Sequence, residues 1–421
     1  MKIIFTLLTL FATQQAFAQD VTGNFFSSDK VHRIDVRIDN WDQLRNAEPA
    51  GGRCVFGFIG DQYEWFSASS LSIDGQTFQN VGVKKKSWCG SESKSKPSLN
   101  VSLDRFEKKQ EDAAKKLLGG AALTLNNSVQ DPSYIRQCFA YNFFRDLGLA
   151  APYCSFAVVS VNGSEQGLYV LMEAMKKPLL KRNFGPQIGN VYEIAGEGFE
   201  DWALARLAAS MDNNTGDGSL SDIKKVIDAV RDNSGSFEAV EQVVALDKFY
   251  RYWSAEVLLM HWDGLTLGTN NSYLYFDTQG QMQVIPWGTD QILLQAGPRE
   301  ANQIYNSSRL TQKILGSETG KTQFYAAFRS ILGNEWNEDV LKAKASALAS
   351  TIRPYLNDSE KGALDWHLDL MGQNISARRA AVQALLGDAN DSGYRYCSSS
   401  ESDPDGDSWG WENDASCRVR N

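Results

Sequence analysis

Two carboxylates and a pair of carboxamides flank a short apolar hairpin: His261-Trp262-Asp263, then Asn270-Asn271, then Ser272 to Phe276, a turn at Asp277-Thr278-Gln279-Gly280, Met282 to Ile285, and Pro286-Trp287-Gly288-Thr289-Asp290. Residues of these types in this order suit phosphoryl transfer. That chemistry needs a carboxylate to accept a hydroxyl proton, an amide and a second carboxylate to hold Mg²⁺, and a lysine on the phosphates. Asp263 fits the first role, and Asn270, Asn271 and Asp290 fit the second. The same residue types also form turns and caps, so spacing alone leaves both uses open.

The elements that must position these residues follow two periodicities. From 20 to about 130 the chain reads as short strands and turns, with Val31 to Ile38 and Leu99 to Leu103 alternating and Tyr63 to Phe66 apolar. Asp131-Pro132 predicts a helix start, the carboxylate as N-cap and the proline in the first turn. Ile135, Phe139, Phe143 and Leu147 would share its buried face before Gly148 ends it, the one helix in a mainly β region. Ser155 to Val161 and Gly167 to Met172, joined by residues 162–166, predict a hairpin ending at Glu173. Beyond about 200 the period becomes helical: Leu246, Phe249, Trp253, Val257 and Met260 recur at three- and four-residue steps, and 323–333 and 338–350 look similar. The fold class predicted is α+β, a β-rich lobe of about 19–173 and a helical lobe of about 174–385, with the hairpin after Asn271 as a β insertion.

Bulk properties narrow the setting. Met1-Lys2, the apolar run Ile3 to Ala12 and the triplet Ala16-Phe17-Ala18 predict a cleaved signal peptide over 1–18. No later stretch approaches the roughly 20 apolar residues of a membrane span, so a secreted or periplasmic protein is expected. A formal charge of -9 and the lack of a basic stripe argue against a nucleic-acid partner. The six cysteines, at 54, 89, 138, 154, 397 and 417, favour disulfides after export. Six allow fifteen pairings; proximity suggests Cys54 with Cys89, Cys138 with Cys154 and Cys397 with Cys417. With three histidines (His32, His261, His367) and no CxxC pair, zinc is unsupported.

The runs Gly167-Leu168-Tyr169-Val170-Leu171-Met172-Glu173, His261-Trp262-Asp263-Gly264, Asn270-Asn271-Ser272-Tyr273-Leu274-Tyr275 and Ile285-Pro286-Trp287-Gly288-Thr289-Asp290 resemble the signature segments of the CotH (spore-coat-H) kinase family. Three more agree in order: Val83 to Gly90 before Lys96-Pro97-Ser98-Leu99, the Asp131 to Arg136 helix start, and Leu246-Asp247-Lys248-Phe249. The resemblance spans roughly 30 to 300. It implies an atypical two-lobed protein-kinase-like fold binding ATP and Mg²⁺ or Mn²⁺ between the lobes. Asp263 would be the catalytic-loop carboxylate, with Asn270, Asn271 and Asp290 on the metal. Lys96 and Lys86 would face the phosphates, and Glu173 would sit where a hinge offers backbone to adenine. Lys84-Lys85-Lys86 reads equally as a solvated basic turn. Gly288 stands where the family often has an aspartate, and Gln137 where a glutamate could pair with the phosphate lysine.

After about 390 the chain turns to Ser, Asp and Gly, and 391–421 is expected to be a separate module stapled by Cys397 and Cys417. Asp403, Asp405 and Asp407 alternate as in part of a Ca²⁺ loop, without its usual glycine. Trp409-Gly410-Trp411-Glu412-Asn413 resembles the Trp-rich segments of small carbohydrate-binding modules, which would make a polysaccharide the partner; the same tryptophans could instead be the module's own core. Gly406-Asp407-Ser408-Trp409-Gly410 matches a hydrolase elbow in letters only, since it lacks the flanking strand and helix. The reading is a secreted atypical kinase acting on Ser or Thr of an exported or envelope protein. The alternative is a catalytically silent, kinase-like adhesion protein with a carbohydrate-binding tail.

Overall fold

The computed structural model describes residues 20–50, 63–87, 89–194, 220–232, 237–294 and 303–386, together with 196, 199, 397, 399, 402, 409–412 and 415–419. The expected signal peptide, Cys54 and the three tail aspartates at 403, 405 and 407 lie outside the described residues.

Seven strands close a barrel in the order β1-β2-β3-β4-β5-β7-β6: β1 Val31–Arg37, β2 Phe66–Ile73, β3 Gln76–Lys86, β4 Ser98–Ser102, β5 Ala122–Asn126, β6 Cys154–Val161 and β7 Ser164–Glu173. All pairings are antiparallel except β1 with β6, where Ile34 faces Val159. Alternation fills the interior. Ile34 and Val36 of β1 point inward with Leu71, Val81, Val83, Val101 and Leu125, while Arg33, Asp35 and Arg37 face water. Strand β2 begins only at Phe66, the last residue of the apolar run 63–66 expected as a strand, and continues to Ile73.

The β6–β7 hairpin is longer than predicted because its turn is only Asn162-Gly163, both with positive φ (52° and 83°), which suits the right-handed twist of the strands. A register shift at Val159/Ser160 is taken up opposite Gly167, whose φ is +85°. Ala157, Val159, Tyr169 and Leu171 fill the barrel, whereas Phe156, Leu168, Val170 and Met172 on the other face join the helical core. Burial on both faces explains why these strands read as nearly continuous apolar runs.

The barrel region carries more than the single helix expected: α1 Val21–Phe25, α2 Trp41–Asn46 and α3 Glu111–Leu118 precede α4 Arg136–Asp146. Helix α4 starts five residues after Asp131. The Asp131 carboxylate instead accepts from Ser133 N (3.1 Å), from Arg136 N (3.0 Å) and from Arg136 Nη1 (2.6 Å), so it closes a preceding turn and anchors the first helical residue from outside. The Cys138–Cys154 disulfide, with Cα atoms 5.2 Å apart, fastens α4 to β6.

The second lobe comprises α5 Lys177–Phe184, β8 Val191–Ile194, α6 Ser221–Arg231, α7 Glu238–Val243, α8 Leu246–Leu259, β9 Ser272–Phe276, β10 Met282–Pro286, α9 Arg309–Leu315, α10 Glu318–Asn334, α11 Glu338–Ile352 and α12 Asp358–Leu386. The predicted hairpin is β9–β10, and four-residue β8 adds to its edge, Val191 opposite Tyr275. Helix α8 is nearly all buried: Trp253 stacks on Phe324 at 3.7 Å and donates to the Tyr305 carbonyl at 2.7 Å. Truncating such a tryptophan to alanine costs about 3–5 kcal/mol. Met260, at φ 56°, ends α8 in the left-handed conformation and turns the chain toward Asp263. At the C-terminus, β11 Trp409–Glu412 pairs with β12 Ala415–Arg418, and Cys397–Cys417 backs the hairpin, where a side chain at Gly410 would lie 2.6 Å from the Cys397 sulfur.

Candidate functional site

The segment between α8 and β9 turns back on itself so that Asn271 meets Asp263. Asn271 Nδ2 donates to Asp263 Oδ2 at 2.6 Å, and Asn270 Nδ2 lies 3.3 Å from both carboxylate oxygens. Thr269 and Asn271 both have positive φ, 51° and 37°, a concentration of strained backbone that fits a functional loop. The other side of Asn271 abuts the strand-to-turn corner after β10. An added Cβ on Gly288 would lie 2.5 Å from both Cγ and Oδ1 of Asn271, and Gly288 itself has φ +53°. Only glycine lets the carboxamide occupy that space. With Nδ2 turned to Asp263, Oδ1 is the atom left toward Gly288.

Asp290 follows in a short 3₁₀ turn, Thr289–Gln291, behind Gly288. It is buried, and burial first, then the charges of Asp131 and Asp263, pushes its carboxyl up to about 6; its own backbone N–H and Lys86 pull the other way. Asp263 is pushed up to about 6 as well, by burial, against the hydrogen bond from Asn270. The Tyr141 hydroxyl from α4 lies fully buried against this corner, its own ionisation pushed up by burial and by Asp290. The Thr289 side chain and the Gly288 backbone lie within reach of that hydroxyl and oppose the rise. His261 is buried too and held neutral, down to about 4, by burial.

Lysines 84–86 lie in β3, not in a turn, pairing with Ser98 to Asn100 of β4. The pleat sends Lys85 into the barrel end, where it bonds Glu92 at 2.9 Å and the Ala47 carbonyl at 3.1 Å. Lys86 points the opposite way, 5.6 Å over the Trp287 ring, on the Asp290 side. Lys96 takes a different position from the one expected. It packs over the rings of Tyr134 (4.8 Å) and Tyr169 (5.1 Å) and donates to the Tyr134 hydroxyl at 3.1 Å, which donates to Glu360 of α12 at 3.1 Å. Burial pushes Lys96 down to about 8 against the pull of Glu360. Lys86, not Lys96, is thus the lysine coupled to Asp290. Glu173 ends β7 as expected, but its carboxylate is committed to Arg182 (2.5 Å) and Tyr153 N (3.1 Å), and its N–H to the Tyr153 carbonyl. Both of those side-chain bonds fall on Oε2, and Oε1 is buried without a hydrogen-bond partner.

Two contributors went unread in the sequence. Glu256 is fully buried in α8 beneath the loop, and Arg136 bonds Asp131, the Ile292 carbonyl (2.8 Å) and His367 (3.1 Å), linking α4 and α12 to the residues after Asp290. Each is a charged residue inside an apolar periodic run, which is the signal that could have found it.

A family model described as "CotH kinase protein" matches residues 75–368, more than half of the chain. The chain belongs to the CotH kinase protein family. Its α+β, two-lobed, kinase-like fold follows from that match and from the barrel and helical lobe above. A second model, "Cellulose or protein binding domain", matches 387–419. Two proteins of Bacillus subtilis (strain 168) are similar. The "Inner spore coat protein H-like protein" is 24% identical over 279 residues, 65% of this chain and 76% of the relative. "Inner spore coat protein H" is 24% identical over 255 residues, 56% and 69%. Among solved structures, HipA of Shewanella oneidensis MR-1, in its complex with HipB and operator DNA, has a TM-score of 0.30 at 13% identity, over 63% of this chain and 59% of that one. The Helicobacter pylori proinflammatory kinase CtkA has a TM-score of 0.26 at 14% identity, over 62% and 91%.

Kinase-like membership implies ATP and a divalent cation in general. The corner suits a cation: burial raises the affinity of Asp290 for a proton, which a metal ion can replace, and the Asn271 carboxamide abuts Gly288 two residues before it. Among the described residues no three His, Cys, Asp or Glu side chains gather to hold a metal, so the set would be the Asp290 carboxylate completed by amide oxygens.

Proposed function

We propose that this chain is an exported protein kinase that transfers the γ-phosphoryl group of ATP to a Ser or Thr hydroxyl of a secreted or envelope protein. The observation that carries this reading is the single Asn271 carboxamide joining Asp263 to the Gly288–Asp290 corner across the β9–β10 hairpin. Asp263, ionised above about pH 6, accepts the proton of the attacking hydroxyl, while Asn270 and Asn271 fix its orientation. Asp290 and the Asn271 and Asn270 oxygens would hold the divalent cation, Lys86 would lie on the phosphates, and backbone after Glu173 would meet adenine. The bound cation would neutralise phosphate charge as it develops. Disulfides at Cys138–Cys154 and Cys397–Cys417, together with the sequence of residues 1–18, support export. Trp411, 66% exposed on β11, supports polysaccharide docking by the tail.

The second reading, a silent kinase-like adhesion protein, is favoured by one observation: both asparagine amides already donate to Asp263, as they would to a purely structural carboxylate. Purified protein incubated with labelled ATP and Mg²⁺ or Mn²⁺ separates the two. Self-labelling and a nucleotide-dependent thermal shift, with labelling lost in Asp263→Ala, are expected of the kinase; neither signal from the wild type leaves the adhesion reading. A polysaccharide pull-down with Trp411→Ala tests the tail.

A further inference from the structure

We infer that Glu256 is the positioning residue of the Asp263 loop, an inference that rests on the phosphotransfer reading above. Its side chain is fully buried in α8, and its two oxygens accept from four donors. Oε1 takes Leu265 N at 2.8 Å and the Tyr252 hydroxyl; Oε2 takes Thr266 N at 2.9 Å and the Thr266 hydroxyl. Three of these donors belong to the two residues that follow the His261-Trp262-Asp263-Gly264 run. No lysine, arginine or histidine forms an ion pair with Glu256 among the described residues. A carboxylate buried without a countercharge is costly, and here only loop and helix dipoles compensate it. Burial pushes Glu256 up to about 7, and the four hydrogen bonds oppose the rise.

The connection to Asp263 is steric as well as polar. Gly264 leaves no room for a Cβ against Glu256 Oε1 and the His261 ring, and a Cβ at Gly268 would lie 2.8 Å from Asp263 Cα. Asn270 N donates to the Gly264 carbonyl at 3.3 Å, closing the loop that carries the two asparagines back to Asp263. Glu256 therefore fixes one wall of a loop whose other wall is Asp263 itself. A glutamine at 256 would turn an amide toward a backbone N–H, donor against donor, and let the loop drift without emptying the core.

The test is Glu256→Gln in the full chain, with steady-state kinetics across pH and amide hydrogen exchange of the whole protein. Positioning predicts a kcat lower by about 10- to 100-fold, on the scale of a misplacement near 1 Å, with KM for ATP within about threefold. The acid limb of the pH–kcat profile, set by Asp263, should move, and exchange should quicken in 264–271 while the rest of α8 stays protected. Thr266→Val, which removes one donor and keeps the shape, should give a smaller loss in the same direction and stands in if Glu256→Gln does not fold. An active wild type with kcat unchanged in either variant, or faster exchange spread evenly over the helical lobe, overturns the inference. A wild type with no phosphotransfer overturns the function reading instead, and exchange confined to 264–271 then still decides whether Glu256 holds the loop.

Discussion

Replacing Asp290 by asparagine should make the protein more stable at neutral pH while removing its response to divalent cations. The carboxyl rises from its ordinary 3.8 to about 6 in the folded chain, first through burial and then through Asp131 and Asp263. At ~1.4 kcal/mol per pH unit, that difference corresponds to about 3 kcal/mol. Because the folded value is the higher one, Asp290 favours folding fully below pH 3.8, and this contribution disappears as pH rises through 6. At pH 7.5 the ionised side chain therefore makes the native state about 3 kcal/mol less favourable than its protonated form would. Asparagine has the same shape and no charge to bury. Urea unfolding at pH 7.5 without metal should show Asp290→Asn more stable by about 3 kcal/mol, with the gap closing toward pH 4. Added Mg²⁺ or Mn²⁺ should raise the wild type toward the variant and leave the variant unmoved. Taking the difference between the two proteins cancels the titrations of Glu256 and His261, whereas Asp263, which repels Asp290, titrates with it as a pair. An asparagine variant equal to or weaker than the wild type at pH 7.5, or one with the wild-type pH slope, would refute the argument.

Removing the α4–β6 staple with Cys138→Ala and Cys154→Ala releases a loop with a sequence separation of 16, and a stability loss of about 3 kcal/mol in urea is expected. Gly288→Ala must hold a Cβ at φ +53° and 2.5 Å from Asn271 Cγ. A cost of about 1–2 kcal/mol and a weaker cation-dependent thermal shift are expected, as the displaced carboxamide leaves Asp263.

Local chemistry made much of this architecture readable in the sequence. The β9–β10 hairpin, the end of α8 at Met260 and the β6–β7 pair follow from periodicity and turn residues, and the ordered Asp263, Asn271 and Asp290 meet at one corner. Features that depend on long-range contact were not readable. The lysine coupled to Asp290 was decided by the pleat of β3 and by the tyrosines that capture Lys96, neither of which a run of three lysines reveals. Asp131 looked like an N-cap because Asp-Pro usually is one; buried Arg136 drew its carboxylate into a different turn. Strand β8 is only four residues long, and its pairing with β9 comes from far along the chain, beyond any local pattern. The role of Gly288 as the space for Asn271 needed coordinates, since sequence shows a missing side chain and not what fills its place.

The β6–β7 hairpin is a party wall. Its inward residues complete the barrel and its outward Phe156, Leu168, Val170 and Met172 complete the helical core. A fragment ending at Glu173 would leave that second surface bare to solvent and prone to aggregation. Melting of either half should therefore drag the other with it, and opening between them must pivot on residues after Glu173 and not within the hairpin.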